Sequence, residues 1–158
     1  MMLMATLAGC GFRLRGASDL PPVMMETRIT GVAEFAPLTL QLRRLLSGAG
    51  AQVLAADARA SATLAISGEE LKKRVLSVDA QGRAAEYELT YRFNFQVTDS
   101  QENVLVPQQR VELIRDYRFD PDNVLATGAE EAQIRDEMYR FAASQAMRRI
   151  NAMLKHKE

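Results

Sequence analysis

The sequence predicts an α+β two-layer sandwich, a four-stranded mixed sheet with two helices packed on one face, in the order β-α-β-β-β-α. Three observations lead there. Tyr87, Leu89, Tyr91, Phe93, Phe95 and Val97 alternate with Glu86, Glu88, Thr90, Arg92, Asn94 and Gln96, the period of a strand with one buried and one wet face. Two other segments, beginning at Pro37 and near Gly128, repeat their apolar residues at helical spacing. An aromatic strand face must be covered, and the two amphipathic helices are the elements available to cover it.

Taken in order, the chain opens with an uncharged apolar stretch, Met1-Met2-Leu3-Met4-Ala5-Thr6, followed by Leu7-Ala8-Gly9 and the only cysteine, Cys10. A small-residue run ending in cysteine has the form of a lipoprotein processing site. Residues 1–9 are then the remnant of a signal peptide, cut away after export, and the Cys10 thiol carries a diacylglycerol anchor. This leader is shorter than the usual apolar core of about 7 to 15 residues and lacks the basic residues that normally precede it. The other reading of Cys10 is a small apolar residue buried in a first strand. From Gly11 the chain is polar and broken by Pro21-Pro22, so residues 10–23 read as a lipidated tether and residues 24–158 as one domain.

Met24 to Val32 alternates loosely and predicts the first strand. Pro37 opens a helix of about three turns, with Leu38, Leu42, Leu45 and Leu46 on one side and Gly48 and Gly50 ending it. Ala51 to Ser61 has no pattern beyond Val53-Leu54, a candidate short extension. The second strand starts near Ala62 with Leu64 and Ile66 facing one way, and the apolar positions change parity to Leu71 and Val75 after Gly68, as a bulge produces. The aromatic strand follows, then a fourth strand from Val104 to Tyr117 with Val111, Leu113 and Tyr117 sharing a face. Pro107 marks that strand as an edge or a bulge. Thr127 with Glu130 three residues on has the form of a capping box, predicting a helix over Gly128 to Leu154. Early acids and late bases suit the helix dipole, and its stripe runs through Ile134, Met138, Phe141, Ala142, Ala146, Ile150 and Met153.

Composition narrows the function. The 158 residues fit one domain, and 20 basic against 20 acidic residues leave no net field to gather nucleic acid. No apolar run reaches the roughly 20 residues a membrane-spanning helix needs. The single histidine, His156, lies in the charged tail Lys155-His156-Lys157-Glu158 and cannot serve as a rigidly held base. One Cys and one His do not make a zinc site, and Asp120-Pro121-Asp122-Asn123 lacks the glycine and distal glutamate of a calcium loop. Ser47-Gly48-Ala49-Gly50 stops a helix and is no phosphate loop. We therefore expect no catalytic residues, no metal and no cofactor. The basic run Lys72-Lys73-Arg74, with Arg83 in the next turn, has two readings: phosphate recognition, or a solvated strand edge protected against aggregation.

Leu7-Ala8-Gly9-Cys10 followed by Gly11-Phe12-Arg13-Leu14-Arg15-Gly16 resembles the start of the LptE family of lipopolysaccharide-assembly lipoproteins. Gly82-Arg83-Ala84-Ala85-Glu86-Tyr87 resembles that family's turn into its third strand, and Asp136-Glu137-Met138-Tyr139-Arg140 through Arg148-Arg149-Ile150 its final helix. The resemblance spans nearly the whole chain. It implies an outer-membrane lipoprotein on the periplasmic side, held by Cys10, that plugs the LptD β-barrel, assists its assembly and binds lipopolysaccharide, without enzymatic activity. It also implies lipid A phosphates as the ligand of the bases, with Arg83, Arg74, Lys73, Lys72 and Arg118 as candidates. The chain departs from the family where relatives carry bases, since its turn tip is Asp79-Ala80-Gln81-Gly82 and its later loop holds Asp120 and Asp122. The competing reading is a free-standing outer-membrane lipoprotein that binds a lipid or small ligand, or a scaffold of another envelope transport machine.

Overall fold

In the computed structural model, which describes residues 20–55 and 57–155, the elements run β1 (Glu26–Thr30), α1 (Pro37–Gly48), β2 (Gln52–Leu54), β3 (Ala62–Val78), β4 (Ala84–Asp99), β5 (Val104–Arg118) and α2 (Val124–Lys155). The sheet order is β2-β1-β3-β4-β5. β1 is parallel to both its neighbours, and β3, β4 and β5 form an antiparallel meander. The α+β architecture stands with five strands where four were expected. The added strand is β2, three residues at the sheet edge that pair Gln52 with Glu26 and Leu54 with Arg28. So short a strand has no period of its own; its partner and the crossover through α1 put it in place.

The predicted alternation along β4 is the spine of the core. Leu89, Tyr91, Phe93, Phe95 and Val97 are all 0–1% exposed. Ile66 of β3 lies opposite Phe95, and Val111 of β5 opposite Phe93. Leu38, Leu42 and Leu46 of α1 and Met138, Ala142, Ala146 and Ile150 of α2 complete the same cluster. The alanines let the long helix lie close against the aromatic strand.

Gly68 marks a bulge as expected: its φ is +61°, and the register shifts between Ser67 and Glu70. Pro107 lies on the edge strand, where the register against β4 also shifts, between Phe95 and Val97. Gly31 has a harder requirement, with φ +84° and a position where a Cβ would stand 1.9 Å from the Ile66 carbonyl oxygen.

Several details differ from the sequence reading. α2 begins at Val124, so Thr127 lies one turn inside it and not at its cap. Its hydroxyl donates to the Asn123 carbonyl (3.2 Å) and accepts from the Asp120 amide (3.3 Å), tying the preceding loop to the helix. Phe141 is 55% exposed, because the buried stripe follows fourfold steps from Met138 to Leu154 and Phe141 falls on its flank. Val75 is also exposed, whereas Leu71 packs against the core. Leu20 is buried, so the packed body takes in a residue that the sequence left to the tether, and Met24, expected at the start of the first strand, is instead buried in a 3₁₀ turn over Pro22–Met24 ahead of β1. Leu7-Ala8-Gly9-Cys10 and His156 lie outside the described residues.

Candidate functional site

Strand alternation divides the predicted bases between two faces. Arg74 is paired with Glu88 and Lys72 with Thr90, and these side chains occupy the sheet face away from the helices. Lys73 is paired with the buried Leu89 and points to the helix side. Arg118 lies opposite Glu86 at the end of β5, and Arg83 stands in the β3–β4 turn. The single basic run is therefore not a single patch.

Each of these bases meets an acid. The Arg74 guanidinium donates twice to Glu88, at 2.6 and 2.9 Å. That fork raises the Arg74 pKa and holds the Glu88 carboxyl below its ordinary range. Lys72 meets Glu70 at 3.0 Å, and Arg92 meets the other oxygen of Glu70 at 2.5 Å. Arg118 is the loosest, 3.9 Å from Glu86 with a 91% exposed side chain. The outer face is thus a lattice of alternating charges across three strands, an arrangement that blunts strand-to-strand aggregation.

At the hairpin, Asp79 accepts the backbone N–H groups of Gln81 (2.9 Å) and Arg83 (2.8 Å) and the Arg83 Nε–H (2.8 Å). The Arg83 backbone bond is the largest effect on the Asp79 carboxyl, and with the Arg83 side-chain bond, the Gln81 amide bond and the Arg83 charge it outweighs burial and holds that carboxyl below its ordinary range. The loop before α2 comes to the same place. The Phe119 amide donates to the Ala85 carbonyl at 2.8 Å, the Phe119 ring meets Tyr87 edge-on at 5.4 Å, and the Asp122 charge acts on Arg83. The two places where relatives were expected to carry bases are neighbours in space, and here they hold Arg83 among Asp79 and Asp122.

On the helix side the sequence reading missed Glu131. The Lys73 ammonium donates to it at 2.6 Å while standing 4.0 Å from the Tyr87 ring centroid, and the Tyr117 hydroxyl and Arg135 guanidinium donate to the same carboxylate. Burial would raise the Glu131 pKa, but the bonds from Lys73 and Tyr117 and the charges of Arg135 and Lys73 outweigh it, leaving the carboxyl below its ordinary range. This network fastens β3 and β5 to the first half of α2. No local signal could have joined Lys73 to a residue 58 positions away.

Among the described residues no group of three or more His, Cys, Asp or Glu could hold a metal ion, and no helix is long and apolar enough to cross a membrane. What the arrangement offers is a rigid, charge-patterned surface with arginines at one tip.

Comparison with known proteins agrees with this picture. The LptE family, described as Lipopolysaccharide-assembly, matches residues 28–150. The LPS-assembly lipoprotein LptE of Photorhabdus laumondii is 31% identical over 143 residues, covering 90% of this chain and 78% of that protein. The solution NMR structure of an uncharacterized lipoprotein B from Nitrosomonas europaea is 30% identical with a TM-score of 0.74, covering 92% of this chain and 93% of that one. The crystal structure of the rare lipoprotein B from Shewanella oneidensis is 27% identical with a TM-score of 0.67, covering 82% of this chain and 98% of that one. By a family match that takes in both helices and all five strands save the start of β1 and the last turn of α2, the chain belongs to the LptE lipopolysaccharide-assembly family.

Proposed function

We propose that this chain is a non-enzymatic lipoprotein of lipopolysaccharide assembly, anchored through Cys10 to the periplasmic side of the outer membrane, where it plugs the LptD β-barrel. Residues 1–9 are the processed leader, and the tether from Cys10 links the anchor to the packed body. The family match over residues 28–150 carries this reading. Physical shape supports it. Strands of 15 to 17 residues make a body about 50 Å long, and large outer-membrane barrels have polar lumens that are often filled by an inserted domain. The ion-paired outer face of β3, β4 and β5 suits such a polar lining better than a lipid-facing one.

In this role the chain binds lipopolysaccharide on its way outward, and Arg83, Arg74, Lys72, Lys73 and Arg118 are the candidate phosphate contacts. Arg83 and Arg118 lie at the distal tip, while Lys73 on the helix side is committed to Glu131. Reversal of Arg83 and Arg74 to Glu tests the assignment. Charge-assisted contacts to phosphate are each worth about 1.5–3 kcal/mol, so lipopolysaccharide binding should weaken at least about tenfold with the thermal unfolding transition retained. Unchanged binding by a folded variant removes both residues from the site.

A further inference from the structure

The two edges of the sheet differ in length. β2 offers three residues at one edge, whereas β5 runs for 15 residues at the other. An edge strand exposes a row of unpaired N–H and C=O groups that another strand can join.

The pairing with β4 identifies those groups. The Phe119 amide donates to the Ala85 carbonyl, and the register holds without a shift from Glu86 opposite Arg118 to Phe95 opposite Gln109. Hydrogen-bonded residues alternate along an antiparallel strand. The odd-numbered residues of β5 from Val111 to Tyr117 therefore bond to β4, and Arg110, Glu112, Ile114 and Asp116 direct their backbone groups to the open side.

Two of the open-side carbonyls are capped by arginine. Arg149 of α2 donates to the Arg110 carbonyl at 2.6 Å across 39 positions of sequence, and Arg115 donates to the Ile114 carbonyl at 2.9 Å. The Arg115 guanidinium also lies 5.9 Å from the ring centroid of the exposed Phe141, so the flank of α2 supports both caps. Water satisfies an exposed carbonyl equally well, but a guanidinium in that place also blocks the approach of another strand. Toward the start of β5, Pro107 has no N–H to offer and the register against β4 is broken.

Behind the caps the edge is complementary to itself. Two copies of β5 paired antiparallel about Leu113 use the regular stretch past Pro107 and set Arg110 opposite Asp116 twice, once on each side of the twofold axis. Asp116 has no ion-pair partner among the described residues, and Arg110 pairs with Glu112 of its own strand. The next registers on either side set Glu112 against Glu112 or against Asp116, and like charges directly opposite repel. In the Leu113-centred register the half-exposed Ile114 side chains of the two copies become diagonal neighbours.

We propose that the free edge of β5 is a strand-addition site held closed by Arg149 and Arg115, and that the strand it accepts when they are withdrawn is β5 of a second copy, antiparallel with Arg110 opposite Asp116. The edge belongs to this chain alone, so the inference does not rest on the barrel partnership.

Sedimentation velocity of the full chain over a range of concentrations tests it. Arg149→Gln with Arg115→Gln should tighten dimerisation at least about tenfold at an unchanged melting temperature, and each single substitution should fall between that variant and the unaltered chain. In the uncapped double variant the Glu112 and Ile114 amides should gain protection from hydrogen exchange as the dimer forms. Adding Asp116→Arg should weaken this dimer about tenfold or more, and adding Arg110→Asp as well should restore it. An uncapped variant that associates no more tightly than the unaltered chain overturns the proposal. So does a dimer indifferent to Asp116→Arg, or one that leaves the Glu112 and Ile114 amides exchanging freely.

Discussion

Glu131 is the residue on which the distal half of the molecule turns. Its carboxylate receives Lys73, Tyr117 and Arg135, from two strands and from its own helix. Glu131→Gln keeps the shape and removes the charge, so we expect a loss of about 1–2 kcal/mol at neutral pH in urea unfolding. The folded Glu131 pKa is depressed, so its contribution is complete above the ordinary carboxylate value of about 4.3 and is lost as pH falls through the folded value. For Lys73, burial is the largest single effect and lowers the pKa, but the bonds to Glu131 and Tyr117 and their charges together outweigh it and the folded pKa is raised, so its contribution is complete below about 10.4 and is lost at higher pH. The difference between the wild type and Glu131→Gln should therefore form a plateau across mid-range pH and shrink in acid; a difference that persists in strong acid contradicts the ion-pair account. That Lys72 and Arg74 share one face and Lys73 the other was legible in strand alternation alone. Their acid partners were not, because Glu70 and Glu88 are assigned by sheet register and Glu131 by helix docking.

Among the elements, β4 could be read directly because its signal is self-contained: every second residue is apolar for most of its length, and neighbouring strands only had to accept that face. α1 was equally legible from its proline start and leucine spacing. β2 was not, since three residues held by pairing with β1 carry no period. The start of α2 was misread because Thr127 and Glu130 imitate a capping box, while the chain has already become helical at Val124. The close approach of Gly31, just past β1, to its parallel neighbour β3 makes a sharper prediction. Gly31→Ala places a methyl group against the Ile66 carbonyl oxygen at φ +84° and should cost at least about 2 kcal/mol in urea unfolding. Gly68→Ala, at φ +61°, meets only the movable Asn94 side chain at 3.0 Å and should cost less. Equal losses would show that backbone conformation, and not the close approach, limits both sites.

At the scale of the whole molecule, the anchor, the long sheet and the charged outer face belong to one design in the proposed function: a tethered stopper with a polar side for a polar lumen. Cys10→Ser should leave the melting temperature unchanged and abolish lipid attachment, read by the mass of the mature protein and by its partition between membrane and soluble fractions. The fold was legible in the sequence because hydrophobic period and element order dictate it, whereas the partner is a second molecule whose surface leaves no period in this chain. The most direct measurement is gentle solubilisation of outer membranes followed by capture of the protein through a C-terminal tag. The account predicts that a large β-barrel protein accompanies it in equal amount; capture of the lipoprotein alone would contradict it and favour a free-standing ligand-binding lipoprotein.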